Sequence, residues 1–417
     1  MAIKNIYFEN FKCFEKVDIG LGKFNIIIGP NASGKSSFIQ ILKFLKDFND
    51  YGLDNAISLQ GGVEYFRNIN IGRKKNFVFK IKIEGGSLSV VGKDNQIVIR
   101  RDGIEYELEI NFPNNSKKYK VVHENIIQNV TFYRFSKSDR KLDSEKILGI
   151  GKIVATRDGT QVKRNFDYPD NIGISEDDLN PPFFNKLTVR LNESFFSFPF
   201  IMFPFPFDLF DDIKIYDFDP RLSKKAIPFT GRNELLEDGG NLTIILNSLF
   251  KNPEKKKKFL NLVRDVLPFF NDTKTEKLTD KSYIFTLKES YLKNSNKYLP
   301  SSFLSDGTIN VIALIISLFF QPDDITAIIE EPERNLHPSL ISKIVALMQE
   351  ASKRKQILIT THNPEILRHC DLNDMHFVKR DKNGFATIIK PSEREHIKEF
   401  LKNDVGIDEL FIQNLIH

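Results

Sequence analysis

A phosphate-binding loop is the clearest chemical motif in this sequence of 417 residues. Residues Gly29–Ser36 read G-P-N-A-S-G-K-S and match the pattern G-x-x-x-x-G-K-[ST] without a mismatch. In such a loop, backbone N–H groups and the lysine bind the phosphates of a nucleoside triphosphate, and the serine hydroxyl binds Mg²⁺. The predicted nucleotide-binding residues, in the loop and directly after it, are Gly29, Asn31, Ser33, Gly34, Lys35, Ser36 and Ser37. The sequence therefore predicts binding of ATP or GTP.

The segments on either side of the loop have the patterns of a strand and a helix. Phe24–Ile28 is a continuous apolar run, which is typical of a buried strand, and Ser37–Leu45 places its apolar residues on one helical face. A helix that follows the loop directs the partial positive charge of its N-terminus at the bound phosphates. The expected arrangement is strand, loop and helix.

Two adjacent carboxylates, Glu330 and Glu331, follow the apolar strand Ile325–Ile329. Because side chains alternate along a strand, the two acids are expected to point in different directions. One can then contribute to a Mg²⁺ site while the other faces an attacking water, as phosphoryl transfer requires. The alternative is that these acids only stabilise the N-terminus of the next helix.

Two further positions could contact phosphate. His362 follows the predicted strand Gln356–Thr360, and beside the carboxylates it can form a hydrogen bond with a γ-phosphate, although a lone histidine is usually structural. Ser305 precedes the apolar helix Thr308–Phe320 and is a good N-cap. It could instead form a second anion site, together with the N–H groups after it, for a phosphate held by another phosphate-binding loop.

The alternation of strands and helices near both ends predicts an α/β fold, with a parallel sheet and helices on its faces. The expected domains are 1–119 with the loop and an antiparallel β subdomain, 120–295 as a mainly helical insertion, and 296–417 as the second part of the head. At the start of the chain, Ile3–Phe8 and Phe24–Ile28 are expected to form a hairpin.

Composition limits the cellular environment and the classes of partner that the chain can have. The two cysteines, Cys13 and Cys370, exclude a disulfide framework and fit a reducing, cytoplasmic environment. The longest apolar run, Ile309–Phe320, is shorter than the roughly 18 residues that span a bilayer, so no membrane partner is expected. The net charge of +5 is compatible with nucleic acid, although the basic run Lys255–Lys258 is more typical of a solvated face.

Taken in order, four motifs resemble those of ABC-type ATPases in the branch that contains the overcoming-lysogenization-defect, RecF and chromosome-maintenance (SMC) proteins. More closely, the chain resembles stand-alone predicted ATPases of bacteria and archaea, many of them encoded beside anti-phage or toxin–antitoxin partners. The matching segments are Gly29–Ser36, Phe303–Thr308, Ile329–Pro338 and Thr360–Pro364. The resemblance implies a P-loop NTPase fold of the ABC-type ATPase head, with a mixed sheet, helices on both faces and an antiparallel β subdomain.

The resemblance also implies roles for individual residues. Lys35 and Ser36 would serve the phosphates and Mg²⁺, and Glu330 would be the metal-side carboxylate of the Walker B motif. Glu331 would polarise the hydrolytic water and His362 would be the switch histidine. In a homodimer that sandwiches ATP, the residues acting on the nucleotide of the opposite subunit would be Ser305, Asp306, Gly307 and Asn335.

The implied function is slow ATP hydrolysis by a cytoplasmic homodimer that gates an effector protein or DNA, in anti-phage defence or a toxin–antitoxin system. The effector would be a nuclease or toxin encoded nearby. The alternative is an ATP-dependent DNA-binding or repair clamp without an effector. A hexameric AAA+ motor would lack the Ser305–Gly307 signature. Nuclease relatives carry a TOPRIM domain after the switch histidine, whereas 55 residues follow His362, so no such domain is expected.

Overall fold

The structure of the protein is a computed structural model. It describes residues 2–91, 97–113, 118–135, 142–198, 200–206, 209–228, 231, 234–291, 297–323, 325–395, 397 and 406–413. The chain divides into two compact units. The β-rich unit comprises Met1–Gly22, Ala32–Ile213 and Val378–Ile388, and the α/β unit comprises Lys23–Asn31, Lys214–Phe377 and Ile389–His417.

The strands found among the described residues are numbered in chain order. They are β1 (Ala2–Phe11), β2 (Phe14–Gly20), β3 (Phe24–Ile28), β4 (Phe77–Glu84), β5 (Leu88–Val91), β6 (Ile97–Asn111), β7 (Lys120–Phe135), β8 (Leu142–Asp158), β9 (Gln161–Asp167), β10 (Ile213–Tyr216), β11 (Ile227–Pro228), β12 (Phe270–Lys277), β13 (Ser282–Glu289), β14 (Leu299–Pro300), β15 (Thr326–Glu330), β16 (Gln356–Thr361), β17 (Met375–Arg380) and β18 (Ala386–Ile389).

The α-helices in the same residues are numbered likewise. They are α1 (Lys35–Tyr51), α2 (Leu53–Leu59), α3 (Val63–Phe66), α4 (Glu176–Leu179), α5 (Pro220–Ser223), α6 (Leu242–Phe250), α7 (Pro253–Val266), α8 (Asp306–Phe319), α9 (Ile341–Ser352) and α10 (Ile407–Ile412). In the described part of the chain, no helix combines the length and hydrophobicity that crossing a membrane requires.

The α/β unit contains the parallel sheet that the sequence predicts. Its strands follow the order β10-β15-β16-β3-β17, and β15, β16, β3 and β17 run parallel. Every residue of β3 and of β16 is buried, as expected for strands covered on both faces. Helix α9 packs against β3 and β16, and α8 packs against α5, α7 and α9. The predicted helices and strands of this region are confirmed to within about two residues at their ends.

A small antiparallel sheet completes the α/β unit. β13 pairs with β11, β12 and β14, and helices α6 and α7 pack on this sheet. Its inward residues, Phe270, Phe285 and Leu287, belong to the same apolar core as β3, α8 and β16. The core of this unit therefore continues from the parallel sheet to the small antiparallel one.

The β-rich unit has strands in the order β18-β2-β1-β4-β6-β7-β8-β9, with β5 beside β6. Most neighbours are antiparallel, and α1 covers the sheet through phenylalanines such as Phe38, which contacts Phe8, and Phe44, which contacts Phe77. The expected hairpin of Ile3–Phe8 with Phe24–Ile28 is wrong. The partner of β1 is β2, and β3 pairs with β16 and β17 instead.

The fold class is confirmed, but residues 120–295 are not mainly helical. The long strands β7 and β8 pair with each other and extend the sheet of the β-rich unit, and β12 and β13 form the small sheet of the α/β unit. Alternating apolar residues such as Ile126 and Val130 lie on the buried face of β7. Extended structure is favoured here because consecutive strands pair as antiparallel neighbours, β6 with β7, β7 with β8, and β12 with β13.

A buried polar cluster attaches the segment after β9 to this sheet. The carboxylate of Glu124 accepts hydrogen bonds from the Tyr106 hydroxyl at 2.8 Å, from the Phe195 N–H at 3.0 Å and from the Ser194 hydroxyl. The side chain of Arg157 is buried beside it, 3.7 Å away. Burial raises the pKa of Glu124 to about 7, against the opposing effect of these hydrogen bonds and of Arg157.

The phenylalanine core of the β-rich unit gives a direct test of packing. Phe66 is fully buried and contacts the rings of Phe11, Phe44 and Phe77, whereas the neighbouring Tyr65 is 61% exposed. We expect Phe66→Ala to lower the free energy of unfolding by about 3–5 kcal/mol, because it leaves a cavity among rings that cannot collapse fully. Tyr65→Ala should cost far less. Urea denaturation of both variants measures the difference, and equal losses would contradict this packing.

Candidate functional site

The register of the parallel sheet brings the predicted motifs of the α/β unit to one edge. Glu330 of β15 lies opposite Thr360 of β16, and Thr360 lies opposite Ile27 of β3. The residues that follow each strand therefore emerge at the same level. The Gly29 N–H, at the start of the phosphate-binding loop, points to the Thr361 carbonyl at 3.4 Å. Glu330, Glu331, His362 and the first residues of the loop thus share the carboxyl edge of this sheet.

Glu331 leaves the strand in an unusual backbone conformation. Its φ of 45° lies in the left-handed region, which a residue other than glycine rarely adopts. Its N–H still donates to the Thr360 carbonyl at 2.9 Å. Such conformations persist where surrounding contacts fix them, and they are frequent at functional sites.

Two basic side chains hold the Glu331 carboxylate. His362 Nδ1–H donates to Oε1 at 2.9 Å, and Arg334 Nε donates to Oε2 at 3.3 Å. His362 remains half exposed and Glu331 is 27% exposed in its side chain, so the carboxylate is open to solvent on one side. A carboxylate held in this way can accept a hydrogen bond from water without reorienting.

The environment shifts the pKa values of two neighbouring acids, Glu331 and Glu333, in opposite directions. Burial acts to raise the pKa of Glu331, but the hydrogen bond and charge of His362, together with Arg334, lower that pKa below its ordinary value. Burial raises the pKa of Glu333, and the nearby Glu331 adds to the effect. Glu333 is buried and accepts a hydrogen bond from the Thr361 hydroxyl. Glu331 therefore loses its proton at a lower pH than Glu333 does.

Arg334 and Asp217 are members of the site that sequence reasoning missed. The Arg334 guanidinium bridges Glu331 and Asp217, with Nη1 at 2.8 Å from Asp217 Oδ1. Asp217 directly follows β10, which neighbours β15 in the sheet. The pattern of β10 is a short run with apolar residues, Ile213–Tyr216, and an acid directly after it. The sequence of β15 has the same pattern, with apolar residues and then two carboxylates. That pattern was the available signal.

The alternative interpretation of the acids as helix-capping residues does not fit. Glu330 is the last residue of β15, and α9 begins only at Ile341. Between them lies a turn that contains Asn335, also at positive φ (64°). The acids are therefore at a strand end and not in the first turn of a helix.

The predicted signature Ser305–Gly307 begins α8 in the same unit. The Ser305 hydroxyl accepts from the Thr308 N–H at 3.1 Å, so the serine is the N-cap, and Asp306 pairs with Lys224. A Cβ on Gly307 would lie 2.5 Å from the Asn335 carbonyl oxygen, which explains the glycine. The structure thus brings Gly307 next to Asn335, a contact that the motifs themselves do not predict.

A second link ties the signature helix to the carboxylate turn. Asn310, one helical turn after Asp306, donates from Nδ2 to the Arg334 carbonyl at 2.7 Å. Arg334 therefore contacts α8 through its backbone carbonyl and Glu331 through its side chain. A displacement of α8 would move the guanidinium that holds Glu331.

The remaining predicted residues of the loop belong to the β-rich unit. Ser33, Gly34 and Lys35 are buried, Lys35 is the first residue of α1, and Ser36 is exposed while Ser37 is partly so. Gly34 has a φ of 124°, and a Cβ there would lie 2.9 Å from the Ala386 Cβ and 3.1 Å from the Cys13 Sγ. No protein partner of the buried Ser33 hydroxyl is found among the described residues. The turn therefore requires glycine and presents a polar atom with unmet hydrogen-bonding capacity.

A basic cavity of about 420 Å³ lies in the β-rich unit near this loop. Lys12, Arg67 and Arg380 line it together with polar and apolar groups. Arg380 Nε donates to the Ala32 carbonyl of the loop at 3.1 Å, which places the cavity beside the loop. These three cations were not predicted, because they come from three distant parts of the chain.

Comparison with known proteins agrees with this arrangement. The profile of the family described as "AAA domain, putative AbiEii toxin, Type IV TA system" matches residues 24–368, which is most of the chain. The chain belongs to this family. The match begins at β3 and ends just beyond His362, so it includes all four motifs. The predicted resemblance to P-loop ATPases of this branch is confirmed.

Individual relatives of this AAA family member are distant. The chain is 22% identical over 396 residues to Endonuclease GajA of Bacillus cereus (strain VD045), covering 89% of the chain and 57% of that protein. The chain thus spans somewhat more than half of that relative's length.

Among solved structures, the SMC head domain from Thermotoga maritima aligns with a TM-score of 0.41 and 16% identity, covering 94% of this chain and 99% of that one. The Smc head domain with an extended coiled coil, bound to the C-terminal domain of ScpA derived from Pyrococcus furiosus, aligns with a TM-score of 0.45 and 14% identity. It covers 96% of this chain and 99% of that one.

The Arg334 contact predicts a measurable change in the neighbouring acid. Arg334→Gln removes a positive charge 3.3 Å from Glu331 Oε2, so the pKa of Glu331 should rise. NMR titration of carboxyl-labelled glutamates, with the Glu331 signal assigned from Glu331→Gln, measures the midpoint. Arg354→Gln, which loses a contact to Asp323, is the matched control and should leave it unchanged. An unmoved midpoint in Arg334→Gln would show that the guanidinium does not act on Glu331.

Proposed function

We propose that the chain hydrolyses ATP, and that it does so as a nucleotide-bridged homodimer that gates an effector protein. The observation that carries the proposal is the Glu331 carboxylate, ionised, open to solvent and fixed between His362 and Arg334 at the sheet edge where the phosphate-binding loop begins. Family membership supports an ATPase and an association with toxin–antitoxin systems. Hydrolysis, dimerisation and gating are our inferences.

The loop Gly29–Ser37 would bind the triphosphate. Lys35 stands at the N-terminus of α1, where its charge and the helix N-terminus act on an anion together. The Ser33 hydroxyl can donate to a phosphate oxygen, since no protein partner takes it among the described residues. The cavity lined by Lys12, Arg67 and Arg380 would add positive charge beside the loop.

Ser36 and Glu330 would hold the metal ion. Their hydroxyl and carboxylate oxygens are the hard ligands that Mg²⁺ prefers, and such sites use one or two protein ligands beside the substrate phosphates. When bound, Mg²⁺ neutralises negative charge on the phosphates. The donor chemistry of these two residues therefore fits the ion.

Glu331 would orient the attacking water. Its lowered pKa makes it a weak base, so its main contribution is to accept a hydrogen bond from water and fix the direction of attack. His362 keeps the carboxylate in place through Nδ1–H, and its second nitrogen, Nε2, would donate to a phosphate oxygen when the ring carries both protons. This division of roles requires no covalent intermediate.

A second copy of the chain is the proposed partner at the signature. Ser305 is exposed at the N-terminus of α8, and Phe303, two residues earlier, is 79% exposed, so both side chains are accessible to a partner. Asn335 is exposed on the same face, next to Gly307. In the dimer, these residues would meet the phosphates held by the opposite subunit, in agreement with the motif order.

The contacts described above suggest how dimerisation would reach the catalytic carboxylate. Asn310 and the Gly307 contact join α8 to the turn Arg334–Asn335, and Arg334 holds Glu331. A partner that presses on the signature would therefore shift the guanidinium and release or tighten Glu331. Hydrolysis would then depend on the assembled dimer, which is the property a gate for an effector nuclease or toxin needs.

Two substitutions separate nucleotide binding from chemistry. Lys35→Ala removes the positive charge at the phosphates, so ATP affinity and turnover should both collapse, whereas Lys46→Ala on the same helix should leave them unchanged. Glu331→Gln should bind ATP normally and lose about 10²-fold or more in turnover, because the amide orients water poorly. Isothermal titration and phosphate release measure the two properties. A Lys35→Ala chain that hydrolyses ATP normally would refute the proposed site.

The shared site of the dimer has its own test. Ser305→Arg and Lys35→Ala should each be inactive as homodimers, because each lesion affects both composite sites. In a mixed dimer the two lesions fall into one site and leave the other intact. Equal mixing makes half of the dimers mixed, so about a quarter of wild-type phosphate release should return.

The control for this test is a measurement of subunit exchange, in which differently tagged chains report the formation of mixed dimers. Absence of recovered activity after demonstrated exchange would contradict independent composite sites. Normal activity of Ser305→Arg alone would show that Ser305 is only the helix cap.

A further inference from the structure

A groove of about 620 Å³ lies in the α/β unit, far from the candidate site. It is formed where α6 meets α7 and where the C-terminal end of α8 leads into β15. The signature begins α8 and the carboxylates end β15, so the groove lies at the opposite end of both elements. The 14 residues of α8 place it about 21 Å from Ser305 along the helix.

The floor of the groove is apolar. Ile245 and Leu249 of α6 are buried below it, and Phe319 and Phe320 at the end of α8 are half buried. Ser248, which is exposed, lies between them on the α6 side. The volume is within the range of roughly 300–1,000 Å³ that suits a small ligand or a few inserted side chains.

The rim of the groove is cationic and uncompensated. Lys251, Lys255 and Lys258 are exposed along it, and no ion pair of these three lysines is found in the described part of the chain. Asp323 is the carboxylate of the lining, and it already lies 3.5 Å from Arg354 and 3.9 Å from Lys355. A ligand with negative charge would therefore meet a positive field above an apolar floor.

The basic run Lys255–Lys258 divides between different roles. Lys255 and Lys258, three residues apart on α7, both face the groove. Lys256 is directed elsewhere, since its ammonium pairs with Asp272 at 3.0 Å. Lys257 is exposed and does not line the groove. Lys255, Lys257 and Lys258 are exposed, as a solvated face requires, but only Lys255 and Lys258 line the groove.

The aromatic rings are not arranged to stack on bases. The Lys258 ammonium lies 6.0 Å from the Phe319 ring centre and 5.8 Å from that of Phe320, and Arg354 lies 5.6 Å from Phe319. Cations therefore already cover ring faces that a nucleic-acid base would need. A concave apolar floor also fits inserted side chains better than a phosphate backbone.

We propose that this groove docks an acidic segment of a partner protein, which inserts one or two apolar side chains against Phe319 and Phe320 while its carboxylates face Lys255 and Lys258. The inference is independent of the proposed ATPase activity, because the groove shares no residue with that site. Charge complementarity selects the acidic segment, and the apolar floor provides the contact area that charges at an exposed rim do not supply.

The test uses the full-length chain and a random 12-residue phage-displayed peptide library, without nucleotide. Selection on wild-type protein is followed by counter-selection on Ser248→Trp, whose indole fills the groove without changing its charge. We expect the surviving peptides to combine Asp or Glu with Leu, Phe or Trp. Survivors that are neutral or basic, or the absence of any groove-dependent peptide, would overturn the proposal.

Fluorescence anisotropy of the selected peptides then measures how binding depends on the charge of the lysines. Lys255→Glu/Lys258→Glu should weaken binding by about tenfold or more, because two attractions become repulsions, whereas Lys257→Glu should change it less than twofold. Circular dichroism and thermal denaturation establish that each variant folds. Equal effects of Lys257→Glu and the double variant would overturn the groove as the site. The proposal would also be overturned if a labelled DNA duplex bound instead of acidic peptides and this binding were lost in the double variant.

Discussion

Parallel pairing of β15, β16 and β3 is the constraint on which the candidate site depends. The pairing sets Glu330, Thr360 and Ile27 at one level, so the next residues of all three strands meet at one edge. These strands are almost wholly buried and most of their residues are apolar, so a register slip would break the match between their side chains and the surrounding core. The packing that stabilises the α/β unit is thus the same packing that positions its chemistry.

Electrostatics at this edge shifts the pKa values of two neighbouring acids in opposite directions. Glu331 is stabilised as a carboxylate by His362 and Arg334, while burial favours the neutral form of Glu333 only two residues away. The Arg334 guanidinium also links Glu331 to Asp217, which lies 117 residues before Arg334 in the chain. The Arg334 carbonyl also accepts a hydrogen bond from Asn310, so the residue that contacts Glu331 is attached to α8 through its backbone.

The local elements of the site were predictable because their signals are local. A buried strand and the amphipathic α1 can be identified from periodicity, and Gly29–Ser36 identifies its own chemistry. The long strands β7 and β8 were not, since a strand is stabilised by partners that the sequence does not name. The same holds for the hairpin expected between β1 and β3, where the intervening β2 took the place of the partner.

The sequence by itself determined the family, the phosphate-binding loop and the order of the carboxylate, histidine and signature motifs, because these depend on residue type and spacing along the chain. Only the tertiary structure decided which side chains act on one another. Asp217 against Arg334, Gly307 against the Asn335 carbonyl, and Lys258 over the Phe320 ring are contacts between distant segments. Their distances are set by how helices and strands pack around a shared core, which periodicity along one segment does not encode.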